Sequence, residues 1–568
     1  MNGVRCFLVM LLWGGGLYAY SGVDASFMLG LEDEHPVDTV QKTKIFLMNA
    51  ERSVIYNDLK LEVLNGNVIY RLDSSYLYCD SAYFFQSDLN LEAFGNVRME
   101  QGDTVFVYGD YLFYDGNREL AKLRHNVQMV NIQQDSSEVI LYTDSLDYDR
   151  VTNIGYYFEH GRIVDQENEL VSIYGQYSTD TKKAFFKDSV QLTNPQFVLY
   201  SDTLEYSTET KIATILGPSV IESDSGIIHS SRGWYNTQDN TSELLDRSVV
   251  FSNDKSLVGD SLVYDKNAVI GRAYGNMSLR DTVQSMILTG HYGYYEEFTE
   301  YAFATDSACA IEYSQGDSLF LYGETLELIT VDSTSRILNA THNVRFYRSD
   351  MQGLCDSMRF NTSDSILYMY GNPVLWSDNQ QLTGDSIIIY MKDSDIDFVH
   401  VPTSAFVVQD IDTCCFNQLG GDELKAFFSG KHLKLLEIDG SAETIYFPYS
   451  QDSTIEIVNF TLSPYFAILF DDEGNREAMK WLGKASGETY PIFDVTTEKK
   501  KLKKFVWHDD IRPVDKYDIF RFYTKKEMPD VPDSPDMPDS PETLELPDTL
   551  ETSETPPEPL KEEHLNPQ

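Results

Sequence analysis

Basic residues are scarce in this chain: 44 Lys and Arg face 90 Asp and Glu, a formal charge of −46. That balance excludes nucleic acid as a partner, because phosphate binding needs clustered cations. It also repels anionic lipid headgroups, so a lipid would be held chiefly by its acyl chains, with divalent cations as one way to bridge a headgroup. Cysteine is rare too. Beyond Cys6, only Cys79, Cys309, Cys355, Cys414 and Cys415 remain, odd in number, scattered and without a CxxC spacing. A disulfide framework or zinc site has little support, and these residues are expected to act as small strand hydrophobes. The ten His are dispersed and no Gly-rich phosphate loop opens a helix, so no metal and no cofactor is expected. After the N-terminus no run is long and apolar enough to span a bilayer. No long stretch shows helical periodicity before about residue 470.

The N-terminus reads as an export signal over residues 1–25. Arg5 supplies the positive region, Cys6 to Leu17 the short apolar region, and Val23-Asp24-Ala25 a small-residue cleavage site, with Ala19 as the alternative. An uncleaved anchor is the competing reading, against which the short apolar run counts. No Cys follows that run, which argues against a lipoprotein. Export implies the periplasm, with association to the outer membrane as a further expectation.

At 568 residues the chain exceeds one ordinary core, so it holds several domains or extends by repetition. Its 37 Tyr and 31 Phe favour strands. Two patterns recur at a period of about 30 residues. The first is Gly-Asn-Val or a relative, at Gly66-Asn67-Val68, Gly95-Asn96-Val97, Asn126-Val127, Gly275-Asn276-Met277 and Asn343-Val344. The second is Asp-Ser/Thr-Leu-x-Tyr or close to it, beginning at Asp80, Asp110, Asp144, Asp202, Asp260, Asp356 and Asp385. Such spacing marks a stacked repeat in which each unit supplies two short strands and a turn of positive φ.

Within a unit, alternate residues share one strand face. Leu112 and Tyr114, Leu146 and Tyr148, Leu204 and Tyr206, Leu262 and Tyr264, and Met358 and Phe360 therefore form a column of large apolar side chains. The plain reading of that column is core. If the sheet is incompletely closed, the same face becomes a trough for acyl chains, and these ten residues are the expected lipid-groove lining. The array is expected over 41–240 and 241–450 after a lead-in at 26–40. A C-terminal segment follows at 451–526, with a strand-like run at Phe466 to Phe470 and a basic run at Lys499-Lys500-Lys501 and Lys503-Lys504. A Pro-rich acidic tail at 527–568 is too polar to fold.

The stretch from Asn49-Ala50-Glu51 and Gly66-Asn67-Val68 through Cys79-Asp80-Ser81-Ala82, Ala93-Phe94-Gly95-Asn96-Val97, Gly102-Asp103-Thr104 and Leu112-Phe113-Tyr114-Asp115 resembles the OstA-like proteins. These are relatives of the LptA-type periplasmic bridge and of the soluble N-terminal domain of its outer-membrane partner. The resemblance covers about residues 40–180, and its rhythm continues more weakly to about 450. It implies an all-β, elongated β-jellyroll of stacked strands that holds lipopolysaccharide or a similar amphipathic lipid. It further implies transport toward the outer membrane, other OstA-like envelope transport proteins as partners, and end-to-end self-association. This chain is much longer than the bridge protein and has no room for a membrane β-barrel after the soluble part. The family carries no catalytic residues.

Some residues suggest chemistry nonetheless. Gly259-Asp260-Ser261-Leu262 and Gly316-Asp317-Ser318-Leu319 spell a lipolytic nucleophile block, and Asp397-Phe398-Val399-His400 an Asp-x-x-His. The first block lies in a repeat whose Ser is replaced elsewhere, whereas a nucleophile needs a unique strained turn. Asp393, Asp395 and Asp397 alternate like calcium ligands but lack the closing Gly and Glu. The reading is of a non-enzymatic lipid carrier or bridge. An envelope scaffold with a closed β-solenoid core is the first alternative, and a carbohydrate-active β-helix enzyme, for which no carboxylate pair is evident, the second.

Overall fold

The computed structural model describes residues 45–521, apart from positions 73, 225, 315, 333–334, 393–394, 413–414, 431, 451 and 453. The signal at 1–25, the lead-in at 26–40 and the tail at 527–568 lie outside the described residues, as do Asp393 and Cys414. Among the described residues there is no α-helix, only strands and three one-turn 3-10 segments, so the fold is all-β. The chain divides into two compact units. One comprises Met1–Pro195 with Glu205–Glu209, the other Gln196–Leu204 with Thr210–Gln568. The division expected at 240/241 therefore falls inside the second unit.

In the first unit the strands Leu61–Leu72, Ser75–Phe85, Asn90–Gln101, Val105–Asp115, Leu120–Ile132 and Glu138–Asp149 pair in succession, all antiparallel. Each pairing shifts register near its middle, as between Asn65 and Val68 or between Phe94 and Val97. The inserted residues are the Gly-Asn of the first repeat pattern, with φ of 72° at Gly95 and 44° at Asn96. The Asn side chain then reaches back to the carboxylate that opens the second pattern. Asn96 Nδ2 donates to Asp80 Oδ2 at 2.8 Å, and Asn126 Nδ2 to Asp110 Oδ2 at 2.6 Å. At the first repeat a glutamate stands in, with Asn67 Nδ2 donating to Glu51 Oε1 at 2.7 Å.

The second unit repeats the device, with Asn276 Nδ2 donating to Asp260 Oδ2 at 2.6 Å and Gly275 at φ 68°. Hydrogen bonds from Asn276 and Arg247 hold the Asp260 carboxyl below the usual carboxylate range. The two sequence patterns are thus the donor and acceptor ends of one bulge clamp, sixteen residues apart in each of these cases. Glycine is required twice over: a Cβ on Gly275 would sit 2.7 Å from Asp260 Oδ2, and the positive φ disfavours any side chain.

Sheet pairing in the second unit runs past residue 450. Ile457–Phe470, which contains the strand-like run, pairs with His432–Tyr446, and both Arg476–Leu482 and Ser486–Pro491 pair with Ile457–Phe470. From Ile492 to Arg521 the chain leaves the sheet and runs back along it as a strap. It covers a face opposite the interior: Cys309 alternates with buried Ala308 and Ala310, and Tyr322 with buried Leu321 and Gly323. Ile492 and Val495 pack with Cys415, Ile445, Phe447 and Val458; Ile511 with Val374 and Trp376; and Ile519 with Cys309 and Tyr322. Contact thus moves from late strands to early ones as the strap proceeds.

Three buried glutamines fasten it. Gln352, Trp376, Gln381, Val408 and Gln418 occupy one cross-strand row. Gln418 Nε2 donates to Lys500 O at 2.8 Å while its Oε1 accepts from Leu502 N at 2.7 Å. Gln381 Nε2 donates to Val506 O at 2.8 Å while its Oε1 accepts from His508 N at 2.8 Å. Each amide therefore bonds the C=O of one strap residue and the N–H two residues on, the pattern of a residue in a parallel ladder. Gln352 Oε1 accepts from Arg512 Nε and Nη2 at 2.9 and 2.6 Å.

Three outcomes follow from these clamps. Gly275→Ala should destabilise the second unit by about 1–3 kcal/mol, the usual cost of a non-Gly residue in a strained backbone region, read from its denaturant midpoint. Gln381→Leu strands the Val506 carbonyl and His508 amide at about 1–3 kcal/mol, and trypsin should then cut at Lys499–Lys504 faster than in the wild type. Burial lowers the His508 pKa from its ordinary 6.5, with Asp510 opposing. The folded strap thus favours neutral imidazole, so its stability is complete above pH 6.5 and falls as the pH drops through the depressed value. Hydrogen exchange of 500–512, corrected for its intrinsic pH dependence, should accelerate as the pH falls below 6.5; corrected rates that stay constant would contradict this.

Candidate functional site

The alternation of each strand turns the predicted column inward. In the first unit Leu112, Tyr114, Leu146, Tyr148 and Tyr206 are buried to within 1% of completely. In the second, Leu204 and Leu262 are wholly buried, Tyr264 and Met358 retain 7% exposure, and Phe360 is half-buried. The structure thus places nine of these ten in the buried interior and Phe360 at its margin.

Most buried tyrosine hydroxyls end in polar partners, Tyr70 OH being an exception. Tyr114 OH accepts from Arg150 Nη1 at 2.9 Å, and Tyr148 OH donates to Gln101 Oε1 at 3.1 Å. Tyr206 OH donates to Asp165 Oδ2 at 2.9 Å and accepts from Asn168 Nδ2 at 2.8 Å. Asn131 Nδ2 donates to Tyr177 OH at 2.9 Å, and Tyr235 OH to Asn240 Oδ1 at 3.0 Å. Burial pushes the Tyr157 phenol up to about 12. This hydroxyl-capped row was not foreseen, although Tyr at the end of each repeat pattern beside Asn-rich turns is the signal that carries it.

The interior packs less tightly between about residues 221 and 297. A crevice with only about 20 Å³ of open space is walled by Val250, Leu257, Tyr264, Leu279 and Tyr295, with Lys255 at its margin. A second, of about 10 Å³, is lined by Ile221, Ile228, Tyr235 and Lys266 and shares Val250 and Tyr264 with the first. The wall residues Ile228, Val250 and Leu257 are each 6% exposed, where their counterparts in the first unit are sealed. Gly271 contributes no side chain to this wall. Lys255 lies 5.7 Å from the Tyr295 ring and pairs with Asp281 and Glu300 at 3.8 and 3.7 Å. Lys266 Nζ donates to Gln196 O at 2.8 Å. The arrangement is an apolar slot with ammonium groups at its edge. That space holds about one water and lies far below ligand-pocket sizes of about 300–1,000 Å³.

The crevice also carries strained backbone. Val269 has φ 52° and is the one β-branched residue among the described residues with positive φ. Equivalent turn positions hold Lys211 at 59° and Asn240 at 59°.

The residues that suggested chemistry take structural roles. Asp260 is a bulge clamp, and His400 Nε2 lies 2.7 Å from Glu423 Oε1, a carboxylate on the neighbouring strand. Among the described residues no group of His, Cys, Asp or Glu could hold a metal ion. Burial pushes the thiols of Cys79, Cys309 and Cys355 up to about 12, which keeps them protonated and unreactive.

Stacked antiparallel strands with a bulge in each long pairing, several of them clamped by Asn and a carboxylate, define a repeat jellyroll class of protein. Residues 42–202 match the family described as OstA-like protein, which makes this stretch OstA-like. Among solved structures, the chain is similar to LptH of Pseudomonas aeruginosa, the LptA-homologous periplasmic component of a lipopolysaccharide transport device. Identity is 10% over 29% of this chain and 77% of that one, with a TM-score of 0.09. No curated protein matches the sequence.

Because left-handed backbone costs a β-branched residue about 1–2 kcal/mol, Val269→Asn should raise the unfolding free energy by about 1 kcal/mol. An unchanged or lower denaturant midpoint would contradict the strain.

Proposed function

We propose that this protein is a non-enzymatic periplasmic lipid-binding and transport protein. It carries or bridges lipopolysaccharide, or a similar amphipathic lipid, toward the outer membrane through its apolar interior. The OstA-like match over 42–202 supports that reading, since the similar LptH is by description part of a lipopolysaccharide transport device. The observation that carries it in this chain is the apolar interior face that the Leu and Tyr column builds in each unit, packed less tightly around Val250 and Tyr264. The packed side chains part to admit acyl tails, which then bury apolar surface at about 0.8 kcal/mol per methylene. Lipid moves by exchange along the interior, driven from outside the protein. Other OstA-like envelope proteins are the natural partners, joined end to end.

A scaffold with a closed β-solenoid core is the second reading, favoured by the sealed column of the first unit. The two readings separate by photocrosslinking in intact cells. Azidophenylalanine differs from tyrosine by an azide in place of the hydroxyl, which adds little bulk to a packed interior, and unchanged far-ultraviolet dichroism checks the fold. At Tyr264 it should crosslink lipopolysaccharide, whereas at outward-facing Tyr274, which is 43% exposed, it should not. Lipid adducts absent from Tyr264, or equal at both positions, would sink the carrier reading.

A further inference from the structure

Among the described residues, the basic run of the strap accumulates positive charge that no carboxylate neutralises. Lys499, Lys501, Lys503 and Lys504 are exposed and Lys500 is half-buried. None of the five forms an ion pair among the described residues, even though acids outnumber bases two to one along the chain. Lys501 Nζ rests 4.9 Å from the ring of Phe505, its own strap neighbour. The ridge is held in place. Gln418 grips the backbone at Lys500 and Leu502, and Phe505 and Trp507 pack on Phe416 at ring separations of 5.2 and 5.5 Å. Five lysines on a fastened backbone repel one another, and an anionic partner relieves that repulsion beyond what salt screening does.

The chain itself contains one of matching charge. From Glu527 to Glu554 an acidic residue stands at every third position: Glu527, Asp530, Asp533, Asp536, Asp539, Glu542, Glu545, Asp548, Glu551 and Glu554. Proline precedes many of them, as in Pro529-Asp530, Pro532-Asp533, Pro535-Asp536 and Pro538-Asp539. The period of three spreads ten carboxylates evenly along the segment.

We propose that the lysine ridge at 499–504 is an electrostatic docking surface and that its occupant is the chain's own acidic segment 527–554. The reach suffices. The strap from Lys504 to Arg521 spans at most ~60 Å if fully extended, whereas the 33 residues from 522 to 554 can reach ~110 Å. Tethering supplies an effective concentration in the millimolar range, so individually weak surface ion pairs act together. Docked in this way, the segment masks the ridge from anionic lipid surfaces, which attract such a cluster at about 1 kcal/mol per Lys. This inference stands apart from the lipid-carrier reading, since it concerns neither the interior nor its ligand.

The test uses the full chain and a carbodiimide, which joins Lys amines to carboxylates in contact without a spacer. Mass spectrometry should find Lys499–Lys504 joined to Asp530–Glu554 within one molecule, with those links mostly lost at about 0.5 M salt, where screening is nearly complete. A variant with Lys499, Lys501, Lys503 and Lys504 all changed to Gln, folded by its unchanged far-ultraviolet dichroism, should lose the links and leave other Lys–acid links intact. Tail links spread evenly over all exposed lysines, or links that survive high salt, would overturn the proposal. So would co-sedimentation of the wild type with phosphatidylglycerol vesicles that equals that of a variant whose 530–551 carboxylates are amides, because the ridge would then be unmasked.

Discussion

Everything in this architecture depends on one hydrogen bond repeated along the chain: an asparagine in a two-residue bulge donating to a carboxylate sixteen residues before it. A bulge left alone leaves an unpaired residue and a locally disrupted ladder. Here the insert is stabilised by a charge-assisted bond, and it lets one long strand change register in mid-course while both halves keep their apolar residues on the interior face. In the strand Val105–Asp115, for example, Val105, Val107 and Gly109 face inward before the shift, and Leu112 and Tyr114 after it. A slip of one residue without the bulge would turn half the strand inside out. The clamp is therefore what lets the interior be apolar along the whole strand.

With the interior fixed in this way, the opposite face is normally left to solvent. The later repeats of the second unit depart from this. There Cys309, Tyr322, Val374, Trp376 and Ile445 make a second apolar face, and the strap covers it. A strap without regular structure must still satisfy its backbone polar groups when it is buried. The row of Gln352, Gln381 and Gln418 does this with side-chain amides in place of a strand. The same units thus combine two modes of burial, one from alternation within strands and one from a segment far away in sequence.

That difference decides what was legible in the sequence. The all-β class, the repeat, and the inward course of Leu112, Tyr114, Leu146, Tyr148, Leu204, Tyr206 and Leu262 follow from period-two alternation and a recurring Gly-Asn, both local signals. The pairing of the two motifs was visible only as coincident spacing, because a hydrogen bond between them leaves no mark beyond composition. The strap could not be read: burial of Ile511 against Trp376 joins residues 135 apart, and Gln381 looks like an ordinary polar strand residue. The same holds for the crevice. Tyr264 has the repeat position of Tyr148, yet the packing around Gly271, Leu257 and Tyr295 leaves a small void of about 20 Å³ beside it. Alternation foretells which face a side chain takes, but not how well its neighbours fill the volume.

The central functional claim is that this interior receives lipid tails. It is tested most directly by native mass spectrometry of the full protein released from cell envelopes in a mild, lipid-compatible detergent. The account predicts a population carrying an intact acyl lipid, which dissociates only with collisional activation strong enough to open the sheet. A protein that flies solely at its bare polypeptide mass under the gentlest conditions, with lipopolysaccharide abundant in the same extract, would contradict it.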